Sequence, residues 1–346
     1  YPYLPSINPD GRAVGVDYHH YVAAASLVEG NLSQALSVMG GSRPMIFLLI
    51  SGFQRIFKGD ISATVKFLPV LLNPLLVLSV FFLGLEMFLE DEVALWAGFF
   101  TLFGIQVTVG MYSYFLTNML GLSLILFSLA FLLRALRCGD HPSLVLSCLV
   151  GSLLVFTHPW SFVQYFVALI LAAGFVLFDV GRERFFSGSW MVVVYLVSLG
   201  FSEILKIMVV PGKSGGSVVS TATEGVSGLS SFWTDSIFSF RLLYGGTISC
   251  VMLLGLSIVG IYLIKGRGFP DLLLKVLPAA SSLLFFIGDE VIKTRLFYNI
   301  PLGLYAAFGF CLLIREESVD GVRRELVSFI VLSMIVYLFR SLANLV

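Results

Sequence analysis

Long apolar runs separated by short polar punctuation fill most of this chain. The runs fall at residues 66–85, 93–109, 114–133, 143–157, 160–178, 190–210, 242–264, 271–288, 296–314 and 326–345. Each approaches the length needed to cross about 30 Å of hydrocarbon. Each is continuous rather than alternating, which predicts helices and not strands. Between Val93 and Leu133 there is no charged side chain at all. Tight breaks at 110–113, 157–160 and 266–270 separate neighbouring runs. The pattern predicts an all-α polytopic membrane protein with about ten transmembrane helices. One apolar segment, 44–57, is only about half the spanning length and is bracketed by Arg43, Arg55 and Lys58. Runs of this size lie on a membrane or dip into it. Residues 1–65 are therefore expected to form a first loop with juxtamembrane helices, and 66–346 the transmembrane domain.

Charge gives this layout a direction. With 44–57 not spanning, nine cations (Arg134, Arg137, Arg182, Arg184, Lys265, Arg267, Arg315, Arg323 and Arg324) share one set of loops. The opposite short loops hold only Lys213, Arg241, Lys293 and Arg295. By the positive-inside rule the nine are cytoplasmic. The acidic loop 86–92 favours neither side. An integral plasma-membrane protein follows, with 1–65, 110–113, 157–160, 211–240 and 289–295 gathered on the extracytoplasmic face. The loop 211–240 is rich in Ser, Gly and Thr and reads as a mobile lid or as a solvated linker. The chain opens on Tyr1 and stops within an apolar run. Both termini are expected to be truncated, with an earlier signal or membrane helix and a later soluble domain lost.

Composition narrows the classes. Hydrophobic residues are 58% and charged residues 12% of the chain, and mean hydropathy is +0.96, which excludes a soluble domain. Formal net charge is zero, so nothing favours a nucleic-acid partner. Cys138, Cys148, Cys250 and Cys311 have no paired spacing and read as packing residues. Walker, HExxH and GxSxG motifs are absent.

The candidate chemistry starts at Gly15-Val16-Asp17-Tyr18-His19-His20-Tyr21, a carboxylate, two imidazoles and two phenols at the entrance to an apolar chain. Polar groups held against a membrane tend to be functional. Asp17 reads as a general base or as the N-cap of a helix over 18–28. His19 and His20 point about 100° apart on a helix, so both cannot easily join one site. His158, just before Pro159, is a donor to a phosphate or the cap of its own helix. Arg295 and Lys293 lie on the cation-poor side, where a guanidinium suits a phosphate. Tyr298 shares a helical face with Arg295, and snorkelling to headgroups remains the other reading, better suited to Lys293. Glu203 and Lys206, at helical spacing in one span, can neutralise each other.

The runs Gly15-Val16-Asp17-…-Tyr21, Ser42-Arg43-Pro44-Met45-Ile46-Phe47-Leu48-Leu49 and Lys66-Phe67-Leu68-Pro69 resemble membrane glycosyltransferases of the GT-C type. These are the protein O-mannosyltransferases, lipid A aminoarabinose transferases and oligosaccharyltransferase catalytic subunits, here as a prokaryotic or archaeal member. The resemblance implies a polyprenyl-phosphate-linked sugar donor, transfer on the outer side of the membrane, and membrane lipids as surroundings. It places the first-loop aspartate at Asp17 and the lipid-phosphate ligand at Arg295. His158, Tyr298, His20, Tyr21 and Arg43 complete the candidate binding set. The acceptor, a protein, glycan or lipid, is left open. The chain departs from the oligosaccharyltransferases in two respects. The hairpin 109–120 offers Tyr112, Tyr114, Thr117 and Asn118 where those members carry acidic metal ligands, and Trp-Trp-Asp is missing. The pattern leans toward mannosyltransferase-like members. For a divalent metal the candidates are Asp17 and His19, without the acidic hairpin ligands of the oligosaccharyltransferases. The competing readings are a transporter or flippase of lipid-linked or sugar substrates, suggested by Pro69, Pro74, Pro278 and Pro301 within spans, and a non-catalytic scaffold.

Overall fold

The structure is a computed structural model describing residues 5, 6, 8–10, 12, 14, 15, 17–28, 32–57, 60–180, 182–210, 234, 251–266, 268–284, 290–316 and 321–343. These residues form helices joined by short turns, with no strand among them. The first segment holds α1 (Tyr18–Ser26), α2 (Leu32–Ser37) and α3 (Pro44–Ile56). Then come α4 (Ile61–Phe88), α5 (Asp91–Leu102), α6 (Ile105–Tyr112), α7 (Leu116–Cys138), α8 (His141–Val155), α9 (Pro159–Val180) and α10 (Arg182–Val209). The last five are α11 (Val251–Leu263), α12 (Phe269–Leu284), α13 (Glu290–Tyr298), α14 (Leu302–Arg315) and α15 (Arg323–Ala343).

The chain is an all-α membrane protein, but about ten full-length spans is more than the described helices show. Five stretches are long and apolar enough to cross: Ile61–Phe88, Asp91–Tyr112, Leu116–Cys138, Pro159–Phe178 and Trp190–Val209. His141–Val155, Met252–Leu263 and Leu302–Arg315 are shorter. Two local breaks account for part of the difference. His158 and Pro159 close α8 after 15 residues. The run expected over 296–314 is divided at Asn299, Ile300 and Pro301 between α13 and α14. The run over 242–264 lies partly outside the described residues, as does the loop 211–240 apart from residue 234. The stretch expected over 93–109 is two helices broken at Phe103 and Gly104. Conversely, α4 runs unbroken through Pro69 and Pro74, and α12 through Pro278. At 13 residues, α3 is about 20 Å long, well short of the bilayer core.

Lipid gives apolar helices little reason to prefer one another, so close approach and buried polar links hold such bundles together. Helices α11 and α14 touch backbone to backbone: a Cβ on Gly260 would lie 2.0 Å from the Tyr305 carbonyl oxygen, and one on Gly309 2.4 Å from that of Leu256. Ser257 adds a hydrogen bond to the Leu302 carbonyl at 3.0 Å. Between α7, α8, α9 and α10 a buried hydroxyl cluster does the same work. Tyr195 Oη lies 2.5 Å from Ser128 Oγ and 3.0 Å from Tyr165 Oη, while Ser128 donates to the Ser147 carbonyl at 2.8 Å.

The two ends of the bundle differ in charge. Glu86, at the end of α4, pairs with Arg134 at 3.8 Å and with Arg137. Arg315 pairs with Glu90 at 2.6 Å and Glu92 at 2.9 Å. The acidic loop thus sits among the cations that the sequence assigns to the cytoplasm. The first segment packs at the other end of α4, where Tyr18 Oη meets Ser62 Oγ at 2.7 Å. Along a 28-residue helix the ends are about 40 Å apart.

Candidate functional site

Gly15 fixes where the first segment docks. Its φ is +97°, and a Cβ there would lie 2.4 Å from the Tyr112 carbonyl oxygen and 2.7 Å from Tyr114 Cδ2. Only glycine allows the chain to lie this close over the turn after α6 in that conformation. The Asp17 amide then reaches the Ser113 carbonyl at 3.4 Å. Two tyrosines secure α1: the Tyr18 ring meets Tyr114 edge-on at 5.3 Å, and Tyr21 Oη lies 3.3 Å from Thr117 Oγ1. Gly15→Ala adds about 1–2 kcal/mol of left-handed strain to the clash. Limited proteolysis should cut residues 1–65 faster in this variant while the transmembrane fragments stay intact.

Asp17 stands at the N-cap position of α1, but its side chain makes no hydrogen bond to the helix amides and its backbone is helical (φ −82°, ψ −6°). Its carboxylate instead faces Arg295, with Oδ2 3.7 Å from Nη2; the two side chains are 19% and 14% exposed. These residues, 278 positions apart, form an ion pair at the end of the bundle where the first segment docks.

Arg295 rides on α13, a short helix clamped from two sides. Tyr298 Oη donates to the Gln106 carbonyl at 2.5 Å, and Gln106 Nε2 donates to the Ile300 carbonyl at 2.7 Å. From α9, Gln164 Nε2 donates to the Leu296 carbonyl at 2.9 Å. Asn299 Nδ2 donates to Gln164 Oε1 and to Ser161 Oγ, both at 2.9 Å.

His158 occupies the turn between α8 and α9 and is wholly buried. Its Nδ1 accepts the Ser161 amide at 3.1 Å and lies 2.8 Å from Ser161 Oγ. Burial first, and then the charges of Arg43, Arg295 and Lys206, hold its pKa well below the ordinary histidine range. At neutral pH the ring is uncharged, and with Nδ1 accepting, the proton sits on Nε2. That nitrogen is buried with no hydrogen-bond partner among the described residues. Arg43 is brought beside this turn because the Met45 amide donates to the Phe156 carbonyl at 3.0 Å. Lys206 on α10 and Lys293 on α13 are buried as well.

The structure thus draws Asp17, Arg295, Arg43 and His158 to one end of the fold. Other candidates have different surroundings. His19 and His20 are exposed on α1. The hydroxyls of Tyr21 and Tyr298 are engaged with Thr117 and the Gln106 backbone. Glu203 is half-buried three residues before Lys206. Ser161, Gln164 and Asn299 carry no charge and have no place in the sequence reading, which names Gly15 only as the start of its run. The signal for Gln164 and Asn299 is an uncharged amide inside an apolar run, and four such amides, Gln106, Asn118, Gln164 and Asn299, are buried.

Asp17 and His19 are the sequence's candidates for holding a divalent cation, and His19 is exposed on α1. Among the described residues no three of His, Cys, Asp or Glu gather as a ligand set. Asp17 faces a guanidinium, and the neighbouring buried charges are cationic. This donor set does not fit a divalent cation, and no chemical step below passes through one.

No family model matches the sequence, and no curated protein matches it. The fold does have a solved counterpart. The oligosaccharyltransferase of Archaeoglobus fulgidus, in its apo crystal structure, superposes with a TM-score of 0.63 at 15% sequence identity. The match covers 99% of this chain and 53% of the archaeal one, so this chain spans about half of that protein's length. With its first segment docked beside the helix turns and a helical bundle behind it, the chain has a fold similar to that of this archaeal oligosaccharyltransferase.

Proposed function

We propose that this chain is a glycosyltransferase that moves a sugar from a polyprenyl-phosphate carrier to an acceptor on the extracytoplasmic face, with Asp17 as general base. The observation that carries the reading is the pairing of Asp17 with Arg295 beside the orphaned Nε2 of His158. A base and a phosphate ligand stand together where cations outnumber carboxylates. In the reaction the acceptor oxygen bonds to the anomeric carbon and its proton passes to the Asp17 carboxylate. The bond from that carbon to the phosphate oxygen breaks, and the phosphate leaves with the electron pair. Arg295, with Arg43 and His158, offsets the charge that develops on it. The sugar sits between base and leaving group, so the ion pair opens as the phosphate takes the guanidinium. The likeness to an oligosaccharyltransferase supports this class of reaction.

The test is transfer from a radiolabelled polyprenyl-phosphate sugar in membranes holding the full-length protein. Label should reach an acceptor with the native enzyme and not with the Asp17→Asn form. Asp17-independent passage of label across the membrane, without transfer, would favour a transporter instead. Sidedness is checked separately. Cys138 is exposed near the Glu86 end, so an impermeant thiol reagent applied to intact cells should spare it and mark Ser217→Cys. The reverse labelling would put Asp17 in the cytoplasm.

A further inference from the structure

We infer that Gln164 and Asn299 are positioning residues: this buried amide pair holds α13 against the His158 turn and thereby aims Arg295 and His158 at one lipid phosphate. The inference rests on the donor reading above.

The amide orientations can be worked out from one end. The Leu296 carbonyl can only accept, so the Gln164 atom 2.9 Å from it is the nitrogen. The second hydrogen of that nitrogen goes to Ser281 Oγ, whose own proton goes to the Leu277 carbonyl at 2.7 Å. Gln164 Oε1 must then accept, so the group facing it from Asn299 is Nδ2. The other Asn299 hydrogen goes to Ser161 Oγ, leaving the Ser161 proton for His158 Nδ1 at 2.8 Å. Donation thus runs outward from Asn299, through Gln164 and Ser281 to the backbone of α12 and through Ser161 to the imidazole. Gln164, Asn299, Ser161 and Ser281 are at most 1% exposed, and a reversed Gln164 amide would set its oxygen against the Leu296 carbonyl and its nitrogen against Asn299 Nδ2; Asn299 Oδ1 has no hydrogen-bond partner among the described residues.

Two features separate a positioning role from ordinary packing. First, α13 cannot place itself. It has nine residues, with Glu290, Lys293, Thr294 and Arg295 among them, and helices this short are marginal alone. Its placement rests on polar clamps, and Gln164 grips the carbonyl of the residue next to Arg295. Second, the series ends on a buried donor, His158 Nε2, that has no hydrogen-bond partner among the described residues. A network serving stability alone is expected to be satisfied at its end. This one stops among Arg43, Arg295 and Lys206, where an anion would accept the hydrogen. Tyr298 and Gln106 hold the far side of α13, so loss of Gln164 should re-aim the helix rather than release it.

The experiment measures binding of undecaprenyl phosphate, and of the neutral alcohol undecaprenol, to the full chain in nanodiscs. Arg295→Ala, Gln164→Leu, the double variant and Ser281→Ala are compared with the native protein. Gln164→Leu should weaken phosphate binding by about tenfold, the loss of one charge-assisted contact, and leave undecaprenol unaffected. In the Arg295→Ala background it should add much less than tenfold, since only the His158 contact is left to lose. Ser281→Ala, which cuts the tie to α12 but not those to α13, should bind like the native protein. Asn299→Ala serves if Gln164→Leu does not fold, with the same expected pattern. Equal losses for phosphate and alcohol, additive losses in the double variant, or a Ser281→Ala defect as large as that of Gln164→Leu would reduce the pair to packing and overturn the inference. If Arg295→Ala itself leaves phosphate binding unchanged, the donor reading fails and takes this inference with it.

Discussion

Asp17→Asn should lower sugar transfer by roughly 10²–10⁴-fold, the usual size of a general-base contribution, in a protein that still folds and still binds its donor. The substitution is close to isosteric, and the carboxylate does not cap α1, so little helix stability depends on it. Asparagine caps about as well as aspartate in any case. What the change removes is the lone pair that takes the acceptor's proton and the negative charge 3.7 Å from Arg295. Relieved of that partner, the guanidinium is more available to a phosphate, so donor affinity should hold or rise while turnover falls. This opposite movement of binding and catalysis is the signature to look for. Near-native turnover in the Asn form would end the catalytic claim for Asp17, and a fall in both quantities would point to a scaffold for α1.

The parts of this molecule legible in its sequence are those written in charge and in long-range periodicity. Asp17, Arg295, Arg43 and His158 were picked out because each is a titratable or cationic group in or beside an apolar stretch, and the fold brings them to one end. That Asp17 would turn away from its own helix toward Arg295 depends on Gly15 fitting over the Tyr112 carbonyl, a backbone contact with no pattern along the chain. His19 and His20 attracted attention by composition, yet the α1 face that packs is set by Tyr18 and Tyr21, so the imidazoles lie outside. Tyr298 shares a helix with Arg295 as its spacing suggested, but its hydroxyl is engaged by the backbone of α6. Hydropathy also does not show where an apolar run breaks. It registers that residues 296–314 are apolar, not that Asn299 and Pro301 turn the chain between α13 and α14. It underrates uncharged amides in the same way: Gln164 and Asn299 leave a run apolar on average while deciding how two helices meet.

Arg295→Ala should weaken binding of the polyprenyl-phosphate donor by on the order of 10- to 100-fold, the range expected for a lost charge-assisted contact. Arg295→Lys should fall between the two, because it keeps the charge and loses the planar fork. The alanine form alone is ambiguous, since it also strands the Asp17 carboxylate in a site where that group is only 19% exposed. Breaking such a pair costs stability whatever its function. The double variant Asp17→Asn, Arg295→Ala separates the two effects. The stranded charge is gone, so the thermal stability lost in Arg295→Ala should return in large part. The phosphate still lacks its ligand, so donor affinity should stay as low as in the single variant. Recovery of stability with persistent loss of affinity identifies Arg295 as a phosphate ligand that rests on Asp17 when no donor is bound. Recovery of both would mean that the guanidinium serves only to neutralise Asp17, and the leaving phosphate would have to be held by other cations of this end, Arg43 and Lys206 first among them.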